Sequence, residues 1–345
     1  MLWKELLMMD TFHPKKTPWQ ITEQDFPHEA QEEEKVHFLL RYAILAPSSH
    51  NTQPWIFVVN ELTVHVFADL SRWLKVADAD QRELHISIGC ALENLLIAAE
   101  YFGYGYQVDL LPNPDTSELM ATVFLLPGEQ AQPLRDPALF AAIPSRHTNH
   151  KVYDGNPIPA EDLRRLEQCI FEESIVLHMT DDDDVKRRAE EIVTRGDAMQ
   201  FADPAYREEL GYWIGQGVFG SPWLLAKMGQ LAVTHLNLGK NIAKKDSEVL
   251  MSSPVLAVLT SQRDDTRSRL LVGQVYQRLA LTATLLGIHF HPMSQPLELP
   301  ELKQELARLL PHAAADGVVQ HAFRMGYAEP EGEHTPRRRL EEVMQ

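Results

Sequence analysis

Two prolines, Pro47 and Pro54, bracket Ser48, Ser49, His50, Asn51, Thr52 and Gln53, a run of polar and mostly small side chains. Hydroxyls, amides and an imidazole set this close together supply many hydrogen-bond donors and acceptors on a short stretch of backbone. The stretch lies between an apolar helical pattern and an apolar strand pattern, so its polar groups have to find partners. Two readings stay open: a capped turn whose hydrogen bonds remain inside the loop, or a preformed rim facing a planar, heteroatom-rich ligand.

Other groups argue less strongly for chemistry. His289 and His291 alternate on an expected strand and point the same way, but no cysteine or acidic residue is fixed beside them, which speaks against zinc. The four aspartates 181–184 lack the glycine and terminal glutamate of a calcium loop and read as the solvated start of a helix. No metal is expected. Taken alone, Arg337, Arg338 and Arg339 are either a solvated basic tail or part of an anion site. The chain has no Gly-x-Gly-x-x-Gly fingerprint, no phosphate-loop lysine motif and no Gly-x-Ser-x-Gly elbow.

The elements that must position these groups follow from periodicity. Apolar residues recur at helical spacing from Gln31 to Ala46 after an acidic first turn, and Pro47 stops the pattern. Trp55 to Val59 and Val64 to Phe67 read as a hairpin around Asn60 and Glu61, and Leu84 to Phe102 as a buried helix with Gly103 behind it. Strands are expected at Tyr106 to Leu111 and Ala121 to Leu126. Past Pro127 the register begins again: a helix from Pro159 to Ile170, strands at Ile175 to His178 and Val255 to Thr260, a helix from Leu270 to Leu286, and strands near Ile288 to His291 and His321 to Tyr327. Residues 181 to about 250 are helical in pattern but broken by Gly211, Gly215, Gly217, Gly220 and Pro222, which predicts helices hinged by loops, a candidate lid carrying Trp213, Phe219 and Trp223.

The two halves also repeat each other. Gln53, Pro54 and the strand from Trp55 match Ser253, Pro254 and the strand from Val255; Gly89 and Gly103 match Gly273 and Gly287, fourteen residues apart in both cases.

Composition sets the limits. A chain of 345 residues allows two domains or one large one, and 44% hydrophobic with 23% charged residues is ordinary globular usage. Cys90 and Cys169 cannot make a disulfide framework, so a cytoplasmic location is the simplest expectation. The formal charge of −17 opposes general affinity for nucleic acid or an anionic membrane, and any anion site has to be local. No apolar run is long enough to span a bilayer. The first nine residues are too short and too charged for a signal peptide and read as a loosely attached arm.

Four segments carry a family resemblance. Ala46 to Trp55 resembles the flavin-edge signature of the FMN-dependent nitroreductase family. Arg146, His147, Thr148, Asn149 and His150, followed by Tyr153, resemble its basic-hydroxyl motif for the FMN phosphate and ribityl tail. Gly287 to Gln295 is similar to the strand and loop that cover one face of the ring, and Arg324 to Tyr327 with Thr335 to Arg338 to the closing strand and basic tail. In a single family chain the basic-hydroxyl motif precedes the serine-rich loop; here it follows, which implies a fusion of two halves with one complete site, as in the Acg-type subgroup.

The resemblance implies an α+β fold of two tandem nitroreductase-like halves, each a mainly antiparallel sheet flanked by helices: residues 1–135, and 136–345 with the helical insertion at about 181–250. It implies FMN as cofactor, held by Pro47, Ser48, Ser49, Asn51 and Gln53 at the ring edge, by Arg146, Thr148, Asn149, His150, Arg337 and Arg338 at the phosphate and tail, and by Pro292, Met293, Ser294 and Gln295 over one face. His150 departs from the family's usual Arg or Lys. The implied partners are NAD(P)H and a small aromatic electron acceptor, with the ring doing the redox work and no protein acid or base named. The assembly is a monomeric pseudo-dimer or a homodimer; a flavin-sequestering protein whose lid blocks turnover is the alternative.

Overall fold

The computed structural model describes residues 17–128, 134–221, 223–235, 247–310, 317–332 and 334–345, the side chains of residues 223 and 224 excepted. The arm expected at residues 1–9, the 236–246 part of the expected lid and the Trp223 side chain lie outside the described residues.

In chain order the first half contains α1 (Glu32–Ala43), β1 (Trp55–Asn60), β2 (Thr63–Ala68), α2 (Arg82–Tyr101), β3 (Tyr104–Leu110) and β4 (Leu119–Pro127). The second contains α3 (Ala160–Gln168), β5 (Ile175–Thr180), α4 (Asp183–Ala202), α5 (Pro204–Gly215), α6 (Trp223–His235), β6 (Val255–Ser261), α7 (Thr266–Leu285), β7 (His289–Pro292), α8 (Pro300–Leu309) and β8 (Val318–Gly326). The strands form two four-stranded sheets, ordered β1-β2-β4-β3 and β5-β6-β8-β7, antiparallel throughout. The fold is α+β, and the two sheets share one order. They also share a defect: the β2–β4 register shifts at Val66/Phe67 and the β6–β8 register at Leu259/Thr260.

Between the sheets lie α2 and α7, twenty residues each and almost wholly buried. They meet at glycine. A Cβ on Gly89 would stand 2.1 Å from the Leu270 carbonyl oxygen, and one on Gly273 would stand 2.1 Å from that of Ile86. The two contacts are mirror images in sequence, each glycine facing the residue three before the other, so the helices cross at a local two-fold axis. Both helices end before a glycine in left-handed conformation, Gly103 at φ 81° and Gly287 at φ 70°.

This geometry corrects the proline match. Strand order pairs β6 with β2, not with β1, so Pro254 and Pro54 open strands in different positions. What differs between the halves is the connection: β1 and β2 are joined through Glu61 and Leu62, whereas residues 181–254, containing α4, α5 and α6, join β5 to β6. The expected helical insertion therefore sits where the first half has a hairpin turn. Gly211 and Gly215 do not break it. They lie inside α5, where side chains would collide with Thr234 and Gln230 of α6, while Gly217 and Gly220, at φ 74° and 81°, make the turn between the two helices.

The C-terminal segment crosses to the first sheet. Phe57 N–H donates to the Val343 carbonyl at 2.7 Å and Gln345 N–H to the Phe57 carbonyl at 3.0 Å, covering the edge of β1. That crossing carries Thr335 to Arg338 past the Pro47–Pro54 loop.

Candidate functional site

The loop after α1 is strained. His50 (φ 47°), Asn51 (φ 52°) and Gln53 (φ 53°) all lie in the left-handed region, which costs non-glycine residues free energy and persists only where the surroundings hold it. The surroundings here are remote segments. Asn51 Nδ2 donates to the carbonyls of Val218 at 2.6 Å and Pro336 at 2.9 Å, and its Oδ1 accepts from Arg337 Nη1 at 2.8 Å. Gln53 N–H donates to Ser48 Oγ at 2.9 Å, and Gln53 Oε1 accepts from the Arg338 N–H at 2.7 Å. The loop is thus a preformed rim fixed from outside, not a turn satisfied only within itself.

The rim borders a cleft with about 1110 Å³ of space, part of it open to solvent, walled by α2, β7, β8 and the C-terminal tail. Pro47, Ser48, Ser49 and Asn51 line it from the first half; Arg146, Thr148, His150, Pro292, Ser294 and Arg337 line it from the second. Five expected residues stand behind its wall. Gln53 and Arg338 bind each other, Arg338 also reaching Asp69 and the Glu342 carbonyl. Asn149 is buried and donates to the Glu329 carbonyl at 3.0 Å. Met293 N–H bonds the Ala322 carbonyl as a continuation of β7, and strand alternation turns its side chain into the core beside Leu256 and Ala322. Gln295 opens the helical turn Gln295–Glu298 and packs against Gly196.

One end of the cleft is cationic. Arg146 is 5% exposed and Arg337 8%, and neither is paired with a carboxylate among the described residues. Arg146 Nη1 reaches Thr148 Oγ1 at 3.4 Å; Arg337 Nη1 reaches Thr335 Oγ1 at 2.9 Å, and its guanidinium lies 4.7 Å from the Trp19 ring centroid. The Nε atoms of both arginines have no hydrogen-bond partner. Burial pushes both guanidiniums below their ordinary pKa, and Arg146 pushes Arg337 down further. His334, stacked on Trp19 at 4.0 Å, is lowered to about 4 by burial and then by His147, Arg146 and Arg337. His150 stands apart, half-exposed, with Nδ1 3.1 Å from Glu331 and its ring 4.6 Å from His291.

The other end holds Glu83, Glu298, His321, His50 and Phe219. His321 is 6% exposed with neither ring nitrogen bonded, and burial together with Arg82 lowers it to about 3. Of the aromatics expected in a lid, Phe219 lines the cleft near His50, at 6.4 Å between rings, whereas Trp213 is buried with Leu74, Ala77, Phe201 and Tyr206 beneath Arg72.

The local two-fold relates Cys90, which lines the cleft, to Gln274, one residue past the facing glycine in each helix. Gln274 is buried against an acid. It donates to Glu93, a fully buried carboxylate that Arg135 and Arg278 clamp at 2.6 and 2.7 Å. Two arginines with their acid stand on that side; two arginines without one stand on the cleft side.

No family model matches the chain. It is similar to "Putative NAD(P)H nitroreductase Rv3131" of Mycobacterium tuberculosis H37Rv, 29% identical over 322 residues that span 90% of this chain and 91% of that one. It is also similar to "Putative NAD(P)H nitroreductase acg" of the same strain, 24% identical over 321 residues, 88% and 93% of the two chains. The chain is similar to these nitroreductase-like proteins over nearly its whole length. Among solved structures, the FMN and NADPH-dependent nitroreductase NfnB from sphigopyxis sp. strain HMH aligns at 15% identity with a TM-score of 0.44, over 60% of this chain and 97% of its own.

In this nitroreductase-like chain the sequence reading missed Trp19, Glu83, Tyr276, Glu298, His321 and His334 as cleft residues. None sits in a run of unusual composition. Trp19 and His334 meet only because the tail passes the N-terminal segment, where Trp19 Nε1 donates to the Thr335 carbonyl at 2.9 Å.

Proposed function

We propose that this chain is an oxidoreductase of the nitroreductase type that binds FMN in the cleft and passes electrons from NAD(P)H to a nitroaromatic, quinone or similar small aromatic acceptor. The pair Arg146 and Arg337 carries the proposal. A buried cation without a counter-ion is costly; two of them side by side in a chain of formal charge −17 call for a resident anion. A phosphate with nearly two negative charges meets both. The names of the two relatives point to the same chemistry.

The residues present suit such a cofactor. Arg146, Arg337, Thr148 and Thr335 would hold the phosphate. The strained rim Pro47–Asn51 would frame the ring's edge, with Ile86, Tyr276 and Pro292 offering apolar contact and the two unpartnered nitrogens of His321 offering a donor and an acceptor. Bound FMN supplies the hydride acceptor and electron carrier. Phe219 and His50 line the cleft together, 6.4 Å apart between rings, and would shield the ring from water. We assign the boundary between the halves to residues 135/136, the lid to about 181–250, a cytoplasmic location, and a monomeric pseudo-dimer or homodimer as the assembly. Among the described residues no helix is long and apolar enough to cross a membrane.

A sequestering role is the second reading, favoured by the way the insertion is fastened: Asn51 holds Val218, and the Glu209 carboxylate of α5 accepts from the N–H groups of Val76 and Ala77 at 3.1 and 2.9 Å. Anaerobic stopped-flow absorbance separates the two. Bleaching of the flavin by NADH or NADPH supports turnover; bleaching by dithionite alone supports sequestration.

A further inference from the structure

Two carboxyl groups line the cleft away from the arginine pair, in contrasting surroundings. Glu83 is 4% exposed; its Oε1 accepts from Arg82 Nη2 at 2.8 Å, and Ser49 Oγ donates to its Oε2. Glu298 accepts from Gln200 Nε2 of α4 and has no cation paired with it among the described residues. Arg82 is committed elsewhere, to Glu83 and, at 2.6 Å, to the Gln320 carbonyl. The next carboxylate, Asp78, is held by the N–H groups of Glu83 and Leu84 at 2.9 and 2.8 Å. Three carboxyl groups therefore share one buried arginine at this end of the cleft, and like charges so placed cannot all ionise.

Their environments sort them. Burial raises Glu83, and Arg82 with the Ser49 hydroxyl outweighs it, leaving that group ionised. Burial and the Glu83 charge push Glu298 well above its ordinary value, and burial with Glu83 pushes Asp78 up to about 8. The other groups around Glu298 do not reverse this. From the insertion, Asp197 and Gln200 of α4 and Tyr206 and Glu209 of α5 bring no cation; Lys303 of α8 is lowered by its own burial, and His321 of β8 is neutral at physiological pH. An ionised and a protonated carboxyl in one cleft is the arrangement that assigns acid and base roles. The buried, unpartnered imidazole of His321 marks this end as facing a ligand.

We infer that Glu298 is the proton donor to the molecule reduced in this cleft and that Glu83 is its fixed negative neighbour. The inference rests on the oxidoreductase reading above. A quinone becoming a hydroquinone takes one hydride equivalent, which carries both electrons and originates from NAD(P)H, and one further proton. That proton leaves the Glu298 carboxyl: the acceptor's O–H bond forms, the carboxyl O–H bond breaks, and the carboxylate left behind is reprotonated by water.

Glu298→Gln keeps the size of the side chain and an acceptor for Gln200. With FMN-loaded protein reduced by dithionite and mixed anaerobically with 1,4-benzoquinone, the variant should reoxidise at least about tenfold more slowly than the parent, and its rate should lose the parent's decline at alkaline pH. A second readout needs no turnover. The infrared carbonyl band of protonated carboxyl groups should weaken in Glu298→Gln at neutral pH, beyond the loss seen in Asp78→Asn, and should titrate at lower pH in Glu83→Gln. A parental reoxidation rate in Glu298→Gln, or an unchanged carboxyl band, overturns the inference. Because dithionite supplies the electrons, failure of NAD(P)H to bleach the flavin would defeat the nicotinamide step alone; failure to bind FMN would defeat both readings.

Discussion

Arg337 donates from Nη1 to Asn51 Oδ1 at 2.8 Å, joining the C-terminal tail to a loop 286 residues earlier. The bond ties the cationic end of the cleft to its strained rim, so a change in one is transmitted to the other. The Asn51 amide nitrogen is occupied by Val218 and Pro336, so this side chain holds the rim in place from three sides.

Removing either guanidinium should therefore weaken FMN, by different routes. Arg146→Ala loses a charge-assisted contact worth about 1.5 to 3 kcal/mol, or about tenfold or more in affinity. Arg337→Ala loses that and the anchor of Asn51. Without flavin, Arg146→Ala should be as heat-stable as the parent or more so, because it relieves the repulsion between the two cations, whereas Arg337→Ala should be less stable, because Asn51, Thr335 and Leu45 lose their donor. Fluorescence titration and thermal unfolding on the same samples check both statements.

The helix crossing makes a sharper structural prediction. Alanine at Gly89 places a methyl 2.1 Å from the Leu270 carbonyl oxygen, and alanine at Gly273 does the same at Ile86. These atoms are backbone and cannot rotate away. Each substitution should destabilise the chain by about 1 to 3 kcal/mol, measured by denaturant unfolding, whereas alanine at the solvent-facing Gly332 has space for its methyl.

His334 predicts a pH dependence. Its folded pKa is lowered to about 4 by burial and neighbouring cations, against an ordinary value of 6.5. The unfolded chain then binds the proton more readily, so the contribution of the neutral ring is fully present above pH 6.5 and is lost as pH falls toward 4. Flavin-free His334→Asn should show a shallower loss of stability across that window than the parent. Equal slopes in urea unfolding at several pH values would contradict the assignment.

Glu209 fastens the insertion to residues 76 and 77. Glu209→Ala should remove that latch, raise the dissociation rate of bound FMN and expose the turn after α5 to limited proteolysis. Flavin release followed by absorbance in excess apo-acceptor, together with the digestion pattern, reports on it.

Much of this organisation was legible in the sequence because it rests on local rules. Glycines behind buried helices, a proline-bracketed polar loop and strands of apolar residues announce themselves. Gly89 and Gly273 match by spacing alone, and the structure puts them in contact. A proline before a strand is commoner and less diagnostic, which is why Pro54 and Pro254 were paired across strands that hold different places in their sheets. Arg337 and Arg338 could not be told apart, since consecutive residues of an extended tail face opposite ways and only the tail's path decides which meets the cleft. Glu83 and Glu298 were invisible as a pair because they are 215 residues apart and each reads as an ordinary acidic residue near a helix end.

The central claim is a single phosphate-reading cofactor site per chain, with Glu93 closing the two-fold-related position. Equilibrium titration of flavin-stripped protein with FMN and with riboflavin tests it most directly. One FMN should bind per chain, and riboflavin, lacking the phosphate, should bind at least about tenfold more weakly. Two FMN per chain, or equal affinity for the two flavins, would contradict the account.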